Sequence, residues 1–303
     1  MRTTTWVRPL AAVAFASTLL AGAGPAWAAN HSNKPGGGSS TTGIDISYPQ
    51  CSATSLPTGE AFAIVGVNGG LANDYNSCLA TEFAYAEQSK GTLKQAGAQL
   101  YLNTADPGNA VADWPSPAQL GAYGKTTNQT VTCDYALGTS GVGANSTGCA
   151  YIYGYDMVAG IAYSGGTIVG DLSDFNTATS GRNLYAYPVW LDVETANSWQ
   201  TGSNGLAMNV ADLQGMVDAV RAAAGTASAA PIGIYSTSYQ WNQITGTPSG
   251  TGAGNLSGLN DWIPGARRQS AAASNCSLGS FTGGTVTITQ WTSTYDYDYS
   301  CVG

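Results

Sequence analysis

Two acidic residues, Asp192 and Glu194, stand two positions apart in the otherwise mostly apolar stretch YPVWLDVETANSW, residues 187–199. In a β-strand, residues i and i+2 point to the same side, so both carboxylates share one face. Carboxylates in an apolar setting repel each other, and the pKa of at least one of them rises. Such a pair can hold one acid protonated and the other ionised, which is what hydrolysis of a glycosidic bond requires. The spacing alone fits equally well a structural role, in which the two acids cap a helix or face solvent.

The rest of the composition excludes several other kinds of chemistry. The single histidine, His31, lies in a segment rich in Gly and Ser, so Ser–His and Cys–His catalysis and histidine-ligated zinc sites are excluded from the folded part. The chain contains no P-loop pattern and no C-x-x-C pair. We therefore expect neither a metal nor a cofactor. A net charge of −8 also argues against binding to nucleic acid.

Further acids occur in settings where an acid is unexpected, because charged residues make up only 9% of the chain against about 25% in an average domain. Asp45 lies between Ile44 and Ile46, which share the opposite face of a predicted strand, so Asp45 points into a polar interior or to water. Asp296 and Asp298 alternate with tyrosines near the end of the chain. The alternative to a role in a functional site is that Asp296 and Asp298 only form a polar end of the chain.

The first residues have the features of an export signal. Residues 1–28 carry Arg2 and Arg8 near the start, continue with an apolar stretch and end in Ala-Trp-Ala, which indicates a cleaved signal peptide. Residues 29–42 are rich in Gly and Ser and predict a flexible leader. We expect residues 43–303 to form one folded domain of a secreted, extracellular monomer that has no membrane span.

The six cysteines support the same location, because an even number in an exported chain predicts three disulfides. Pairing each cysteine with its nearest neighbour gives 51–78, 133–149 and 276–301, which is one of 15 possible arrangements.

Strand-like and helix-like segments alternate along the chain, as in a mostly parallel sheet covered by helices. The predicted strands are 42–48, 61–69, 98–104, 186–194, 230–238, 260–266 and 285–293. The predicted helices are 77–91, 149–164 and 205–225, and Gly-rich surface loops are predicted at 137–148 and 246–258. We predict an α/β fold, an irregular (β/α) TIM-like barrel of about seven to eight mostly parallel strands. An open doubly wound sheet is the alternative, but the turn after its first strand lacks the Gly-rich nucleotide fingerprint.

Taken in order, several of these segments resemble the glycoside hydrolase family 25 lysozymes. GIDISYPQ (43–50) resembles the opening strand of that family, WLDVE (190–194) its catalytic strand, and GIYSTSYQW (233–241) the next strand and turn. DWIPGA (261–266) resembles its short Trp-containing strand, and TITQWTS with the later DYD resembles its last strand and terminal acid. The resemblance implies a divergent, actinobacterial-type member with an irregular α/β barrel. Its substrate would be peptidoglycan or a related N-acetylated glycan, cleaved at the β-1,4 bond between N-acetylmuramic acid and N-acetylglucosamine.

The resemblance also implies roles for individual residues. Glu194 would be the general acid/base, and Asp192 would orient the N-acetyl group or act at the anomeric carbon. Asp45 and Asp298 would complete an acidic floor, with Asp296 as the alternative to Asp298. Candidates for stacking on sugar rings, each with core packing as an equal alternative, are Tyr101, Tyr187, Trp190, Tyr235 and Trp291. A second hypothesis is a non-catalytic glycan-binding or wall-associated protein on the same barrel.

Overall fold

The computed structural model describes residues 41–108, 114, 116, 118–120, 122, 131, 133, 146–163, 166–225, 231–247 and 250–303. The predicted signal peptide 1–28 and nearly all of the predicted leader 29–42 lie outside the described residues, as do most of the predicted loop 137–148 and part of the loop 246–258. Among the described helices, none is long and apolar enough to cross a membrane.

The described residues form ten strands, whose bounds are β1 Thr42–Ile46, β2 Phe62–Gly66, β3 Ala98–Asn103, β4 Ile161–Tyr163, β5 Gly166–Ile168, β6 Val189–Asp192, β7 Ile232–Tyr235, β8 Asn260–Ala266, β9 Val286–Thr292 and β10 Asp296–Ser300. The α-helices whose bounds lie within the described residues are α1 Leu79–Ala86, α2 Thr147–Ala159, α3 Asp171–Ala178, α4 Gly202–Ala224, α5 Ser238–Thr245 and α6 Gln269–Asn275. Short 3-10 helices are formed by Tyr48–Gln50, which follows β1, by Leu184–Ala186 and by Gly254–Leu256.

Eight of these strands close into a barrel in the order β1-β10-β9-β8-β7-β6-β3-β2. Neighbouring strands run parallel except at β10, which is antiparallel to both β1 and β9. Strands β4 and β5 form a separate antiparallel hairpin. The predicted irregular α/β barrel of about seven to eight mostly parallel strands is therefore confirmed. The open doubly wound alternative is wrong, because the sheet closes on itself.

The prediction that the sheet ends at residue 293 is wrong, because β10 adds a closing strand. Along β10, Asp296 pairs with Asp45 and Asp298 with Gly43, so both acids belong to the inward face of the barrel. A strand whose inner face carries acids lacks the alternation of buried apolar residues by which strands are recognised. At the other end of the sheet, β1 begins at Thr42, which is the first residue of the strand predicted over 42–48.

The helix predicted over 149–164 is wrong in its last turn. Helix α2 ends at Ala159 and is followed by Gly160 with φ of 63°, a conformation that glycine adopts at little cost. The chain then enters β4 at Ile161. The apolar residues continue through this boundary without a break, so the helix and the strand are not distinguished by periodicity.

The interior of the barrel is filled by large side chains that pack into spaces left by glycines. Phe62, Trp190 and Trp262 pack together there with aliphatic neighbours. A Cβ atom on Gly43 would lie 2.4 Å from the Phe62 ring, and one on Gly233 would lie 2.2 Å from the Trp190 ring. These glycines are needed because the aromatic rings occupy the volume that their side chains would take.

Three disulfides join Cys51 to Cys78, Cys133 to Cys149 and Cys276 to Cys301. This is the nearest-neighbour pairing, so that prediction is confirmed. Each bridge of this kind contributes about 2–4 kcal/mol to stability. The first bridge connects the segment after β1 to the segment before α1.

Candidate active site

Strand order and direction bring acidic residues from three strands to one end of the barrel. Asp45 is the penultimate residue of β1, and Asp192 is the last residue of β6. Asp296 is the first residue of β10, whose antiparallel direction places its start where the parallel strands finish. Glu194 follows β6 by two residues. The carboxyl end of a parallel α/β barrel is also where reactive groups collect in known barrel enzymes.

The side chains of these four acids line one cavity with a volume of about 280 Å³. The residues that line it are Asp45, Tyr48, Gly70, Tyr101, Asn103, Asp192, Glu194, Asn197, Tyr235, Trp262, Gln290 and Asp296. The volume lies just below the range of about 300–1,000 Å³ that is usual for small-molecule pockets. The cavity is lined by carboxylates, amides and phenols with one indole, so it suits a polar ligand rich in hydroxyl groups.

Glu194 affects the ionisation of Asp192, and the pKa values of both carboxyls are raised. Burial raises the pKa of Asp192 well above its usual value, and the charges of Glu194 and Asp45 raise it further. Burial also raises the pKa of Glu194, and the charge of Asp296 adds to this effect, whereas a hydrogen bond from Gln240 lowers it. One oxygen of Asp192 is buried with no hydrogen-bond partner among the described residues. The pair therefore retains a proton at a pH where isolated carboxyls have lost theirs.

A second pair of acids, Asp45 and Asp298, lies across the floor of the cavity. Burial raises the pKa of both carboxyls well above the usual value, and the charge of Asp296 raises that of Asp45 while the charge of Asp45 raises that of Asp298. The interaction between the two side chains lowers the pKa of Asp45 and raises that of Asp298. The indole N–H of Trp262 donates to Asp298 Oδ1 at 2.8 Å. Asp298 is consequently the member of this pair that keeps the proton.

Gln290 connects Tyr235 to Asp45. The Tyr235 hydroxyl donates to Gln290 Oε1 at 3.0 Å, and Gln290 Nε2 donates to Asp45 Oδ2 at 2.9 Å. A phenol that donates to the amide oxygen fixes the orientation of the amide, so its NH₂ group must face Asp45. The hydrogen bond from Gln290 lowers the pKa of Asp45 and so favours the ionised form of this carboxyl.

The backbone around Glu194 is fixed although β6 has ended. Val193 N donates to Tyr235 O at 2.9 Å, which extends the pairing with β7 by one residue. The carbonyl oxygen of Glu194 then accepts hydrogen bonds from the Trp199 indole at 2.8 Å and from Asn197 N at 3.1 Å. These contacts hold the main chain of Glu194 beside the cavity, so the carboxyl is presented from a rigid segment.

The structure brings most of the predicted site residues together. Asp45, Tyr101, Asp192, Glu194 and Tyr235 line the cavity, and Asp298 lies directly beneath it with no exposed surface. The sequence suggested Asp298 for the site, with Asp296 as the alternative, and Asp296 is the one that lines the cavity.

Three predicted stacking residues lie elsewhere, and their assignment to the cavity is corrected. Trp190 is buried inside the barrel, where its indole donates to Gln99, and it borders a different cavity at the opposite end. Tyr187 packs between the rings of Phe83 and Phe175, with centroids 5.0 Å and 5.7 Å away. Trp291 stacks on a tyrosine of β10 outside the barrel interior.

The sequence analysis did not single out several residues that the structure places in the site. Gln290 and Trp262 lie on predicted strands, and the inward parity of each strand would have pointed to them. Asn103 ends β3 and pairs with Asp192 across the sheet, a relation that only the strand order reveals. Asn68 accepts hydrogen bonds from the backbone N and the side chain of Asn103 and so holds this residue in place.

The described residues contain one group whose composition resembles a metal-ligand set, namely Cys51, Cys78 and Glu82. The two cysteines form a disulfide with each other and offer no thiolate, so this group is a disulfide that lies beside the buried carboxyl of Glu82.

Comparison with known proteins gives a structural likeness without a sequence match. No protein-family model matches the chain, and no curated protein matches its sequence. Solved structures that resemble it include a muramidase from Trichobolus zukalii, with 16% identity, 86% of this chain and 93% of that chain covered, and a TM-score of 0.44. These neighbours are lysozymes and muramidases. A lysozyme from Streptomyces coelicolor has 14% identity, coverage of 86% and 92%, and a TM-score of 0.41. A family GH25 lysozyme from Aspergillus fumigatus has 14% identity, coverage of 86% and 93%, and a TM-score of 0.42.

One of these neighbours belongs to the lysozyme family that the sequence segments resemble. At 14–16% identity and TM-scores of 0.41–0.44, the neighbours assign no activity to this chain, and its function is inferred from the site itself.

Proposed function

We propose that the protein is a glycoside hydrolase that cleaves β-1,4 bonds in peptidoglycan or a related N-acetylated glycan. The observation that carries the proposal is that Asp192 and Glu194 line one open cavity, in which burial raises the pKa of both carboxyls. Hydrolysis of a glycosidic bond requires a proton for the departing oxygen and a negative charge to stabilise the positively charged, oxocarbenium-like sugar. A protonated acid beside an ionised one meets both requirements.

Glu194 is the general acid/base in this proposal. Its carboxyl is partly exposed beside the cavity, and its raised pKa keeps it protonated at a pH where ordinary glutamates are ionised. Glu194 donates its proton to the glycosidic oxygen as the C–O bond breaks, and the resulting carboxylate takes a proton from the water that attacks the sugar.

Asp192 lies deeper and has a different role. It orients the N-acetyl group of the substrate or acts directly at the anomeric carbon. One of its oxygens is buried with no hydrogen-bond partner among the described residues, and the residue lines the cavity. Asp45 and Asp296 add negative charge on the other side of the cavity, which favours the oxocarbenium-like transition state over the neutral substrate. Tyr101 and Tyr235 are the proposed contacts to sugar rings in the cavity.

The test is digestion of purified peptidoglycan, read out as soluble muropeptides by mass spectrometry. We expect Glu194→Gln to abolish release while its thermal unfolding midpoint stays near that of the wild type. Glu87→Gln is the matched control, because Glu87 forms an ion pair with Arg182 outside the cavity. Full release by the Glu194→Gln variant would refute the proposal. Retention of the wild type on peptidoglycan without any release would support the binding-only hypothesis instead.

We also propose that the protein is exported and acts outside the cell. The signal-like residues 1–28 and the three disulfides support this location, because disulfides persist in oxidising compartments. Secretion by the native host is tested by N-terminal sequencing of the extracellular protein. We expect the mature chain to start at residue 29, and a chain that still carries residues 1–28 would contradict the proposal.

A further inference from the structure

One side of the cavity is bordered by exposed apolar side chains. Tyr48 is 49% exposed, Leu71 is 60% exposed and Tyr75 is 46% exposed. Single exposed apolar residues are common on protein surfaces, whereas several in one place mark a surface that binds a ligand. We call Tyr48, Leu71 and Tyr75 the apolar rim.

The apolar rim is continuous with the cavity. Tyr48 and Gly70 both line the cavity, and Leu71 follows Gly70 in the chain. A Cβ atom on Gly70 would lie 2.6 Å from Tyr48 Cε1, and Gly70 has φ of 89°. The Tyr48 ring therefore covers the Gly70 backbone, and only glycine permits both this contact and this conformation.

The apolar rim is also held rigidly. The disulfide between Cys51 and Cys78 connects the segment that carries Tyr48 to the segment that carries Tyr75. The side chain of Asn76 donates to Gly66 O at 2.8 Å, which ties the loop to the end of β2. A surface that is ordered before binding loses little conformational entropy when a ligand arrives.

The chemistry of the apolar rim fits a neutral saccharide. Asp74 is the one charged residue in the segments 48–51 and 69–78 that form the rim. A pyranose ring has a face of C–H groups that packs on an aromatic ring while its hydroxyl groups stay in water, so burial of this face is favourable. The cavity holds about 280 Å³, which leaves no room for a chain of several sugars. A polymeric glycan cleaved in the cavity must therefore continue over the adjoining surface.

We propose that Tyr48, Leu71 and Tyr75 form a glycan subsite at the edge of the cavity, which binds a further sugar ring of the same chain beyond the two that flank the cleaved bond. This subsite rests on the proposed function for its ligand. It gives the protein a preference for a polymeric substrate over a disaccharide, because a disaccharide has no third unit for the rim to bind.

The experiment measures binding to insoluble peptidoglycan in the Glu194→Gln background, so that turnover does not consume the ligand. We expect Tyr48→Ala to raise the Kd about tenfold, which corresponds to about 1.4 kcal/mol. Tyr48→Phe keeps the ring, and we expect its Kd to stay within about twofold of the background, a change of less than about 0.5 kcal/mol. Leu93→Ala is the control, because Leu93 is fully exposed and precedes β3 at the end of the barrel away from the cavity.

Three outcomes would overturn the subsite: no binding by the Glu194→Gln protein, equal binding by Tyr48→Ala, or an equal loss in Tyr48→Phe and Tyr48→Ala. The side chain of Tyr48 is half-exposed, so its truncation leaves the core intact, and an unchanged unfolding midpoint verifies this. Muropeptide release by the wild type is scored separately. Binding that depends on the rim without release refutes the hydrolase and keeps the subsite, whereas release without dependence on the rim refutes the subsite alone.

Discussion

Asp156 gives a specific prediction about stability, because its carboxyl is buried without a hydrogen-bond partner among the described residues. It lies on α2 with 1% of its surface exposed, and neither carboxylate oxygen has a hydrogen-bond partner among the described residues. Burial raises its pKa from 3.8 to about 8. The folded protein thus binds a proton at this position that the unfolded chain releases above its ordinary pKa.

The sign and size of the effect follow from this difference in pKa. A folded-state pKa above the unfolded one gives stability that is complete below pH 3.8 and is lost as the pH rises to about 8. Each unit between the two pKa values corresponds to 1.36 kcal/mol, so the loss is about 4 kcal/mol by pH 7 and approaches about 6 kcal/mol above pH 8. Since domains are stable by about 5–15 kcal/mol, this one group is a large part of the total.

The perturbation is Asp156→Asn, which resembles the protonated acid at every pH. We expect the two proteins to have similar free energies of unfolding at pH 4, and the variant to become more stable by about 1.4 kcal/mol for each pH unit up to pH 8. The assay is urea unfolding of both proteins from pH 4 to pH 9, with the exposed residue Asp74 changed to Asn as the control. Parallel curves for wild type and Asp156→Asn would refute the assignment of a buried, uncompensated proton to this residue.

Three further predictions concern the site and the barrel interior. Gln290→Ala removes a donor to Asp45, so the pKa of Asp45 should rise, as measured by carboxyl NMR titration. An unchanged titration would contradict the bridging role. Asp296→Asn removes a charge that raises the pKa of the proposed acid/base carboxyl, so the alkaline limb of kcat/KM should move to lower pH. Gly233→Ala should lower the free energy of unfolding, measured with urea, by about 1–3 kcal/mol, because the added methyl group would clash with the packed indole of Trp190. Gly279→Ala, which has open space around it, should cost little.

The face of a strand on which each residue lies was predictable from the sequence, whereas the depth of that residue along the barrel axis was not. Trp190, Asp192 and Glu194 were expected on one face, and Trp190 and Asp192 do both point into the barrel. Yet Trp190 lies two residues deeper than Asp192, which is about 6.6 Å along a strand, and this depth removes it from the cavity. Tyr187 precedes β6 and so lies at the opposite end. Such depths depend on the register between neighbouring strands, which is a property of the closed sheet rather than of any single segment.

Strand β10, which closes the barrel, was not predicted from the sequence for a related reason. β10 has an acidic inner face and a tyrosine-rich outer face, so local pattern indicates a polar chain end. Its place between β1 and β9 is decided by long-range pairing. By contrast, β8 was predicted with the bounds it has in the structure, because a Gly-rich segment precedes it and a charged and polar segment that begins with two arginines follows it.

The antiparallel direction of β10 arranges the acids of the site in two layers. On β6 the chain rises toward the mouth, so Asp192 lies below Glu194, whereas on β10 it descends, so Asp298 lies below Asp296. The lower acids are 8% and 0% exposed, and burial raises the pKa of both well above the usual value. Burial leaves these lower carboxyls poorly placed to transfer a proton to a substrate. The upper carboxyl of Glu194 has a raised pKa but reaches the cavity, and this is why depth alone favours Glu194 over Asp192 as the group that transfers the proton.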